Sequence, residues 1–249
     1  PQAIGCILGG HGITAWGATS EECEAHSLDI VRTAERFLSE RGSAEPFGAV
    51  VPSREPLAED ARRERAAALA PVIRGLASTH RPQLGHYTDS EVVLDFLSRA
   101  KAPALVALGT SCPDHFLRTK IRPLIVPHDA DAAALDKLID GSRADYAAYY
   151  ERCKHTDSPA IRDPNAVIYL VPRVGMLSFA KDKATARIAA EFYVNAINVM
   201  RGASGVSAYQ GLPEQEAFNI EYWLLEEAKL SRMPKPKSLA GRVAFITGG

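Results

Sequence analysis

The run AVIYLV at residues 166–171 is the feature that decides the fold class of this chain. A short, continuous apolar run that is followed by a turn from Pro172 to Gly175 is typical of a buried strand. Weaker strand-like runs alternate with helical stretches along the chain. This alternation predicts an α/β fold in which a mostly parallel sheet is flanked by helices. The further strands are predicted at residues 3–8, 49–51, 85–87, 104–108 and 124–126, and the helices at residues 20–40, 57–78, 89–100, 113–120, 131–153, 183–201 and 214–230.

Two linkers divide the chain into three segments. GSAEPFG at residues 42–48 follows the first long helix, and the proline-stiffened SRMPKPKS at residues 231–238 follows the last one. We therefore predict domains at residues 1–43, 44–232 and 233–249, the middle one ending in a docking helix. The first helix carries a stripe of apolar residues at helical spacing, which we expect to face a core: Leu28, Val31, Ala34, Phe37 and Leu38.

Composition excludes several classes of protein. The chain is 46% hydrophobic and 24% charged, which rules out a disordered or fibrous protein. Its net charge of −1 and the lack of a basic run with interleaved aromatics argue against a nucleic-acid partner. No apolar stretch is long enough to span a membrane. The four cysteines form no C-x-x-C pair, so we expect reduced thiols in a cytoplasmic protein.

His11 lies between glycines in GGHG, residues 9–12, directly after a predicted strand. A histidine in this position can project its imidazole into a cleft, where it could bind zinc. An isolated His–Gly pair more often serves a turn, and a catalytic zinc needs three protein ligands. From these residues alone, both interpretations stay open.

A second group of polar residues follows the predicted strand at residues 104–108. Ser111 and Asp114 have the spacing of a helix capping box, and a helix N-terminus attracts anions. We predict that Ser111, His115, Arg118 and Lys120 could bind a phosphate or carboxylate group. The alternative is a solvated helix face with His115 packed against the loop.

The last two motifs are AFNIEYWLLEEAKL at residues 217–230 and SLAGRVAFITGG at residues 238–249. The first reads as a docking helix with a salt-bridged outer face, and it leaves Glu221 and Lys229 as minor site candidates. The second contains a predicted buried strand at residues 243–246 and resembles the opening of a dinucleotide-binding βαβ unit. We therefore predict Thr247, Gly248 and Gly249 as cofactor-binding residues for NAD(P).

Four motifs in this order resemble the bifunctional rhamnulose-1-phosphate aldolase/alcohol dehydrogenase family, in which a class II aldolase domain is fused to a short-chain dehydrogenase. They are GGHGITAWG at residues 9–17, GTSCPDHFLRTKIRPL at 109–124, FNIEYWLLEEAKL at 218–230 and LAGRVAFITGG at 239–249. The resemblance covers nearly the whole chain. It implies that residues 1–43 are the C-terminal part of a class II aldolase domain, and that residues 233–249 begin the dehydrogenase.

The resemblance also implies a chemistry. Class II aldolases of this kind cleave L-rhamnulose 1-phosphate to dihydroxyacetone phosphate and L-lactaldehyde with Zn²⁺, and His11 takes the place of the third zinc-binding histidine. The other two, and the acid/base carboxylate, are expected before Pro1, so we expect these 249 residues alone to be inactive. A sugar phosphate is the expected partner, and a homo-oligomer the expected assembly. Two alternatives stay open: another sugar substrate, or a structural connecting domain without a ligand.

Overall fold

The structure is a computed structural model that describes residues 3–9 and 12–248. A four-stranded sheet lies at its centre, with the strand order β3-β6-β5-β4. Two further strands, β1 and β2, pair as a separate antiparallel hairpin near the N-terminus. The strands are β1 (Gly5–Leu8), β2 (Gly12–Ala15), β3 (Leu84–Thr88), β4 (Leu124–Ile125), β5 (Ile168–Val171) and β6 (Gly175–Ala180).

Nine α-helices occur within the described residues, together with a short 3-10 helix at Pro52–Arg54. Three of the long helices begin at a side chain that accepts a hydrogen bond from the first turn, as helix N-caps commonly do: Thr19, Asp131 and Asp182. The helices are α1 (Ser20–Arg41), α2 (Glu59–Ala77), α3 (Glu91–Ser98), α4 (Ala102–Leu108), α5 (Pro113–Thr119), α6 (Ala132–Cys153), α7 (Lys183–Val206), α8 (Glu214–Glu221) and α9 (Leu224–Ser231).

The predicted α/β class with flanking helices is confirmed, but the central sheet is mixed. Only β4 and β5 are parallel, whereas β6 pairs antiparallel with both β5 and β3. Three residues separate β5 from β6, and a connection this short can join only antiparallel strands. The sequence prediction placed a turn there and missed the strand that follows it.

Two of the predicted strands are also wrong. Residues 104–108 lie in α4, which has a proline in its first turn and buries Leu105 and Val106. A short apolar run cannot by itself distinguish a strand from a buried helix. Residues 49–51 contribute a single bridge, between Val50 and Arg99.

The core is arranged in layers on both faces of the sheet. Alternate residues of β5 point to opposite faces: Ile168 and Leu170 pack with α3, α4 and α7, while Tyr169 and Val171 pack with α2 and α6. A third, aromatic cluster joins α5, α6 and α8 beside the sheet. It contains Phe116, Tyr146, Tyr149, Tyr150, Phe218 and Tyr222.

The N-terminal helix differs from its prediction. No residue of α1 is buried, and Leu28, Val31, Phe37 and Leu38 are between 39% and 47% exposed. The helix contacts mainly the β1–β2 hairpin and α7, so its apolar stripe is not covered by a core within the described residues.

The C-terminal end differs from its prediction in two places. The helix expected over residues 214–230 breaks at Tyr222 and Trp223 into α8 and α9. Residues 243–246, predicted as a strand, form none, and Val243, Phe245 and Ile246 are more than three-quarters exposed. In the described part of the chain, no helix has the length and apolar character needed to cross a membrane.

Candidate functional site

A pocket of about 830 Å³ opens between α6 and the segment that joins α5 to β4. One face of α6 forms its long wall, because residues at helical spacing from Ala134 to Arg152 all line it. Ile121, Leu124 and Leu138 give the wall an apolar surface. Its polar and charged lining residues are Lys120, Arg122, Lys137, Ser142, Asp145, Tyr146, Tyr149 and Arg152.

Lys120 has the most unusual backbone of these residues. It follows α5 with φ 60° and ψ −175°, a region that is essentially restricted to glycine and that costs another residue about 1–3 kcal/mol. The Thr119 hydroxyl donates to the Lys120 carbonyl oxygen at 3.1 Å. The Lys120 ammonium donates to the Asp163 carbonyl oxygen and lies 4.1 Å from the centre of the Tyr146 ring.

The surroundings of Lys120 change its proton affinity. Burial of the ammonium lowers the pKa of Lys120 to about 8, although the nearby Glu221 and Asp163 carboxylates act in the opposite direction. About a tenth of the amine is therefore neutral at pH 7, and most of it is protonated. Such an amine can donate hydrogen bonds, bind an anion when protonated, or exchange a proton.

A buried carboxylate lies behind the pocket wall. Glu221 is 1% exposed, and the hydroxyls of Tyr146 and Tyr149 donate to its two oxygens at 2.6 and 3.4 Å. The Tyr146 hydroxyl hydrogen is used in the bond to Glu221. The Tyr222 hydroxyl is therefore the donor in its 2.7 Å hydrogen bond with the Tyr146 oxygen. Burial raises the pKa of Glu221 and raises the pKa values of Tyr146 and Tyr149 above their usual range. The break between α8 and α9 lets the adjacent Glu221 and Tyr222 both reach Tyr146.

Two arginines stand at the exposed edge of the pocket. Arg122 and Arg152 both contact Glu214, at 3.2 and 3.0 Å. Burial acts to raise the pKa of Glu214, but the hydrogen bonds and charges of the two arginines lower it overall. The carboxylate therefore fixes the positions of both guanidinium groups beside the pocket.

The four residues predicted to bind an anion do not meet. Lys120 lines the pocket, whereas His115 and Arg118 both lie against Phe192 of α7, with ring or guanidinium distances of 5.7 and 6.0 Å. His115 is buried, its Nδ1 has no partner in the described part of the chain, and burial lowers its pKa. Ser111 is half-buried.

The helix that was predicted to hold the anion also begins differently. Cys112 precedes α5 and provides no side-chain cap, so the expected capping box of Ser111 and Asp114 is absent. Lys229 is exposed and pairs with Glu226 on the outer face of α9, whereas Glu221 belongs to the buried network. The sequence did not single out Arg122, Tyr146, Tyr149 or Arg152; their only local signal was the spacing of 146, 149 and 152 along one helix.

The comparison with known families places this pocket in a recognised domain. Residues 64–230 match the family described as aldolase class II, second domain. The chain belongs to that family. The pocket residues from Lys120 to Ala166 lie inside the matched segment of this class II aldolase domain.

One curated protein is similar to the chain over its full length. The class II aldolase chain is 34% identical over 257 residues to an uncharacterized oxidoreductase, YuxG, from Bacillus subtilis (strain 168). The similarity covers the whole of this chain and 37% of the relative, so the chain spans little more than a third of that protein's length. No solved structure matches the chain.

The predicted zinc and dinucleotide residues lie at the two ends of the chain. Within 3–9 and 12–248, no group of three or more His, Cys, Asp and Glu side chains could hold a metal ion, so these residues do not fit a zinc site. His11 and Gly249 lie outside the described residues. Thr247 and Gly248 are exposed and in no regular element.

Proposed function

We propose that this chain is part of a class II aldolase fused to an NAD(P)-dependent short-chain dehydrogenase. The complete enzyme would cleave L-rhamnulose 1-phosphate to dihydroxyacetone phosphate and L-lactaldehyde and then oxidise or reduce the aldehyde. The family match over residues 64–230 carries the aldolase half of the proposal. The oxidoreductase name of the Bacillus relative supports the dehydrogenase half.

The proposal assigns different work to the three segments of the chain. Residues 1–43 would contribute His11 to a zinc site, residues 44–232 would form the domain that connects the two activities, and residues 233–249 would open the dehydrogenase with Thr247, Gly248 and Gly249. We derive no catalytic step through zinc, because the described residues offer no site for it. We further propose a cytoplasmic homo-oligomer without a nucleic-acid partner.

A coupled assay tests this function. The polypeptide, at the length its gene encodes, is incubated with L-rhamnulose 1-phosphate and NAD(P)⁺, and dihydroxyacetone phosphate is measured separately from the NAD(P)H that oxidation of the aldehyde forms. We expect both signals, and we expect a chelator to abolish both of them, whereas NAD(P)H formation from added L-lactaldehyde should persist. Cleavage of a different phosphorylated ketose in preference would correct the substrate, and the absence of either signal with every phosphorylated ketose would refute the fusion.

A structural role for the connecting domain is the second candidate. It is favoured by the separation of His115 and Arg118 from Lys120, since the predicted anion-binding group does not converge. Arg118→Gln discriminates between the two. Unchanged kinetics of both half-reactions would show that Arg118 does not contribute to a site. A raised KM for the phosphorylated substrate would show that it does.

A further inference from the structure

We propose that the pocket beside α6 binds a small phosphate monoester, with the Lys120 ammonium contacting the phosphate and the Arg122 and Arg152 guanidinium groups flanking it. This site is argued from the geometry and charge of the pocket, and Lys120 is the one residue that it shares with the anion-binding group that the sequence indicated. It does not require aldol cleavage. The proposal would therefore stand even if the complete enzyme acts on another substrate.

The first observation is the room that α6 leaves open. A volume of about 830 Å³ is within the usual range for small-molecule sites. Small residues, Ala134, Gly141 and Ser142, recur about every second turn on the lining face. A Cβ atom added to Gly141 would meet no atom within 4 Å, so the space in front of this glycine is empty of protein.

The second observation is the charge of the lining. The lining contains one carboxylate, Asp145, and four cationic side chains: Lys120, Arg122, Lys137 and Arg152. Three further carboxylates lie close by but do not line the pocket: Glu214 bridges the arginines, Glu221 lies behind Tyr146, and Asp163 is near the Lys120 ammonium. Cationic groups are thus in excess at the pocket itself, as an anionic ligand requires.

The arginines also retain donors for a ligand. Arg152 uses only Nη2 on Glu214, and Arg122 uses Nε on the Ala107 carbonyl and Nη1 on Glu214, among the hydrogen bonds of the described residues. The other guanidinium nitrogens can therefore donate to phosphate oxygens. A guanidinium group can donate to a carboxylate and to a phosphate through different nitrogens, and the salt bridges to Glu214 hold both groups beside the pocket.

The third observation is the strained lysine. An ammonium carries three donors, and Lys120 uses one of them, on the Asp163 carbonyl oxygen, within the described part of the chain. A glycine would adopt this backbone conformation without strain. The advantage of a lysine at this position therefore lies in its side chain. A phosphate monoester supplies acceptors for the remaining donors and a charge that stabilises the buried ammonium.

Isothermal titration calorimetry with sn-glycerol 3-phosphate, glycerol and inorganic phosphate tests the site. Glycerol 3-phosphate has no carbonyl group, so its binding is separable from the aldolase assay. We expect it to bind at least about tenfold more tightly than glycerol, a difference of about 1.4 kcal/mol. Inorganic phosphate is expected to compete with it.

Two variants and one matched control make the test specific to the pocket. Gly141→Leu fills the open space, and Lys120→Gly removes the amine while relieving the backbone strain; each should weaken glycerol 3-phosphate binding about tenfold or more. Gly75→Leu is the control, because Gly75 is also an exposed helical glycine with nothing within 4 Å of an added Cβ, but lies on α2. It should bind like the wild type.

Three results would overturn the proposal. They are no detectable binding of glycerol 3-phosphate at millimolar concentration, equal affinity for glycerol, and wild-type affinity in either folded variant. Circular dichroism of each variant establishes that it is folded. If Gly141→Leu does not fold, Lys120→Gly alone decides between the outcomes.

Discussion

Replacing Lys120 with methionine should change how the stability of the protein depends on pH. Methionine keeps an unbranched stem against the Tyr146 ring but removes the charge. Burial lowers the pKa of Lys120 from 10.5 to about 8 in the folded state. Between these two values the unfolded chain binds more protons at this position than the folded chain, so the wild-type stability must rise with pH there.

The expected size follows from the two pKa values. Below pH 8 the folded protein holds a protonated, desolvated amine, and above it the amine is neutral. Integrating the proton difference from about pH 7 to about pH 9.5 gives a gain of about 2 kcal/mol for the wild type. Lys120→Met lacks this gain. The difference in free energy of unfolding between wild type and variant should therefore change by about 2 kcal/mol between about pH 7 and about pH 9.5.

Three charged neighbours face the Lys120 amine: Glu221 from α8, and Asp163 and Arg162 from the segment before β5. The pKa of about 8 already includes the effects of these three charges. Exposed tyrosines ionise near pH 10 in the unfolded chain, so measurements stop below that value. The difference between wild type and variant then reports Lys120 and its direct neighbours.

Urea unfolding at four pH values measures the effect. Linear extrapolation gives the free energy of unfolding of each protein at each pH, and Lys235→Met, in the exposed C-terminal tail, serves as the control for a lost lysine. The control should follow the wild type. A wild-type minus Lys120→Met difference that stays constant with pH would refute the lowered pKa and, with it, the buried position of the amine.

Three further substitutions test the network and the sheet. Burial raises the pKa of Glu221 above 4.5, so the free energy of unfolding of the wild type should fall as pH rises through the folded-state pKa. Glu221→Gln has no carboxyl group to ionise, so urea unfolding of this variant should not show that fall. Tyr146→Phe removes the hydroxyl that donates to Glu221 at 2.6 Å and should cost about 1–3 kcal/mol by the same assay; an unchanged value would contradict a buried, bonded hydroxyl. Gly175→Ala should lower the thermal midpoint by several degrees, because φ is +142° and the new Cβ would lie 2.6 Å from the Thr88 carbonyl oxygen; a midpoint within one degree or so of the wild type would contradict this backbone.

Local sequence patterns predicted most of the secondary structure. The helices predicted at residues 20–40, 131–153 and 183–201 correspond to α1, α6 and α7, although α7 continues to Val206, and the run at residues 166–171 placed β5. The patterns failed where burial, not periodicity, decides the conformation. ALVAL at residues 104–108 is apolar on every face, so nothing in its spacing separates α4 from a strand.

Strand direction was a separate failure. The alternation of strands and helices favoured crossover connections, but β6 begins only three residues after β5 and therefore returns alongside it. Its sequence, GMLSFA, is buried at five of its six positions and shows no polar–apolar alternation. A strand buried on both faces loses the pattern that identifies a strand with one exposed face.

The site was predictable only in part because its members are far apart in the sequence. Lys120 was singled out, but with partners from α5 and from the loop before it, whereas it lies just beyond the C-terminal end of that helix. Its actual neighbours include Tyr146. Tyr146 in turn contacts Glu221, which lies 75 residues after Tyr146 in the sequence. No local pattern reports a pairing of that separation, since it depends on how α5, α6 and α8 pack together.

Locally unfavourable features in a protein tend to be retained where function requires them. Within the described residues, two residues other than glycine have a positive φ, and they differ in this respect. Arg173 also has a positive φ, of 71°, but it lies in the tight β5–β6 turn, its carbonyl accepts from the Leu57 amide at 2.9 Å and its Nε donates to the Glu55 carbonyl at 3.2 Å. The hairpin accounts for it. Lys120 instead combines a conformation suited to glycine, a buried amine and a place in the wall of an open pocket. Because no turn requires a lysine at that position, the side chain itself is the feature most directly connected to what the pocket binds.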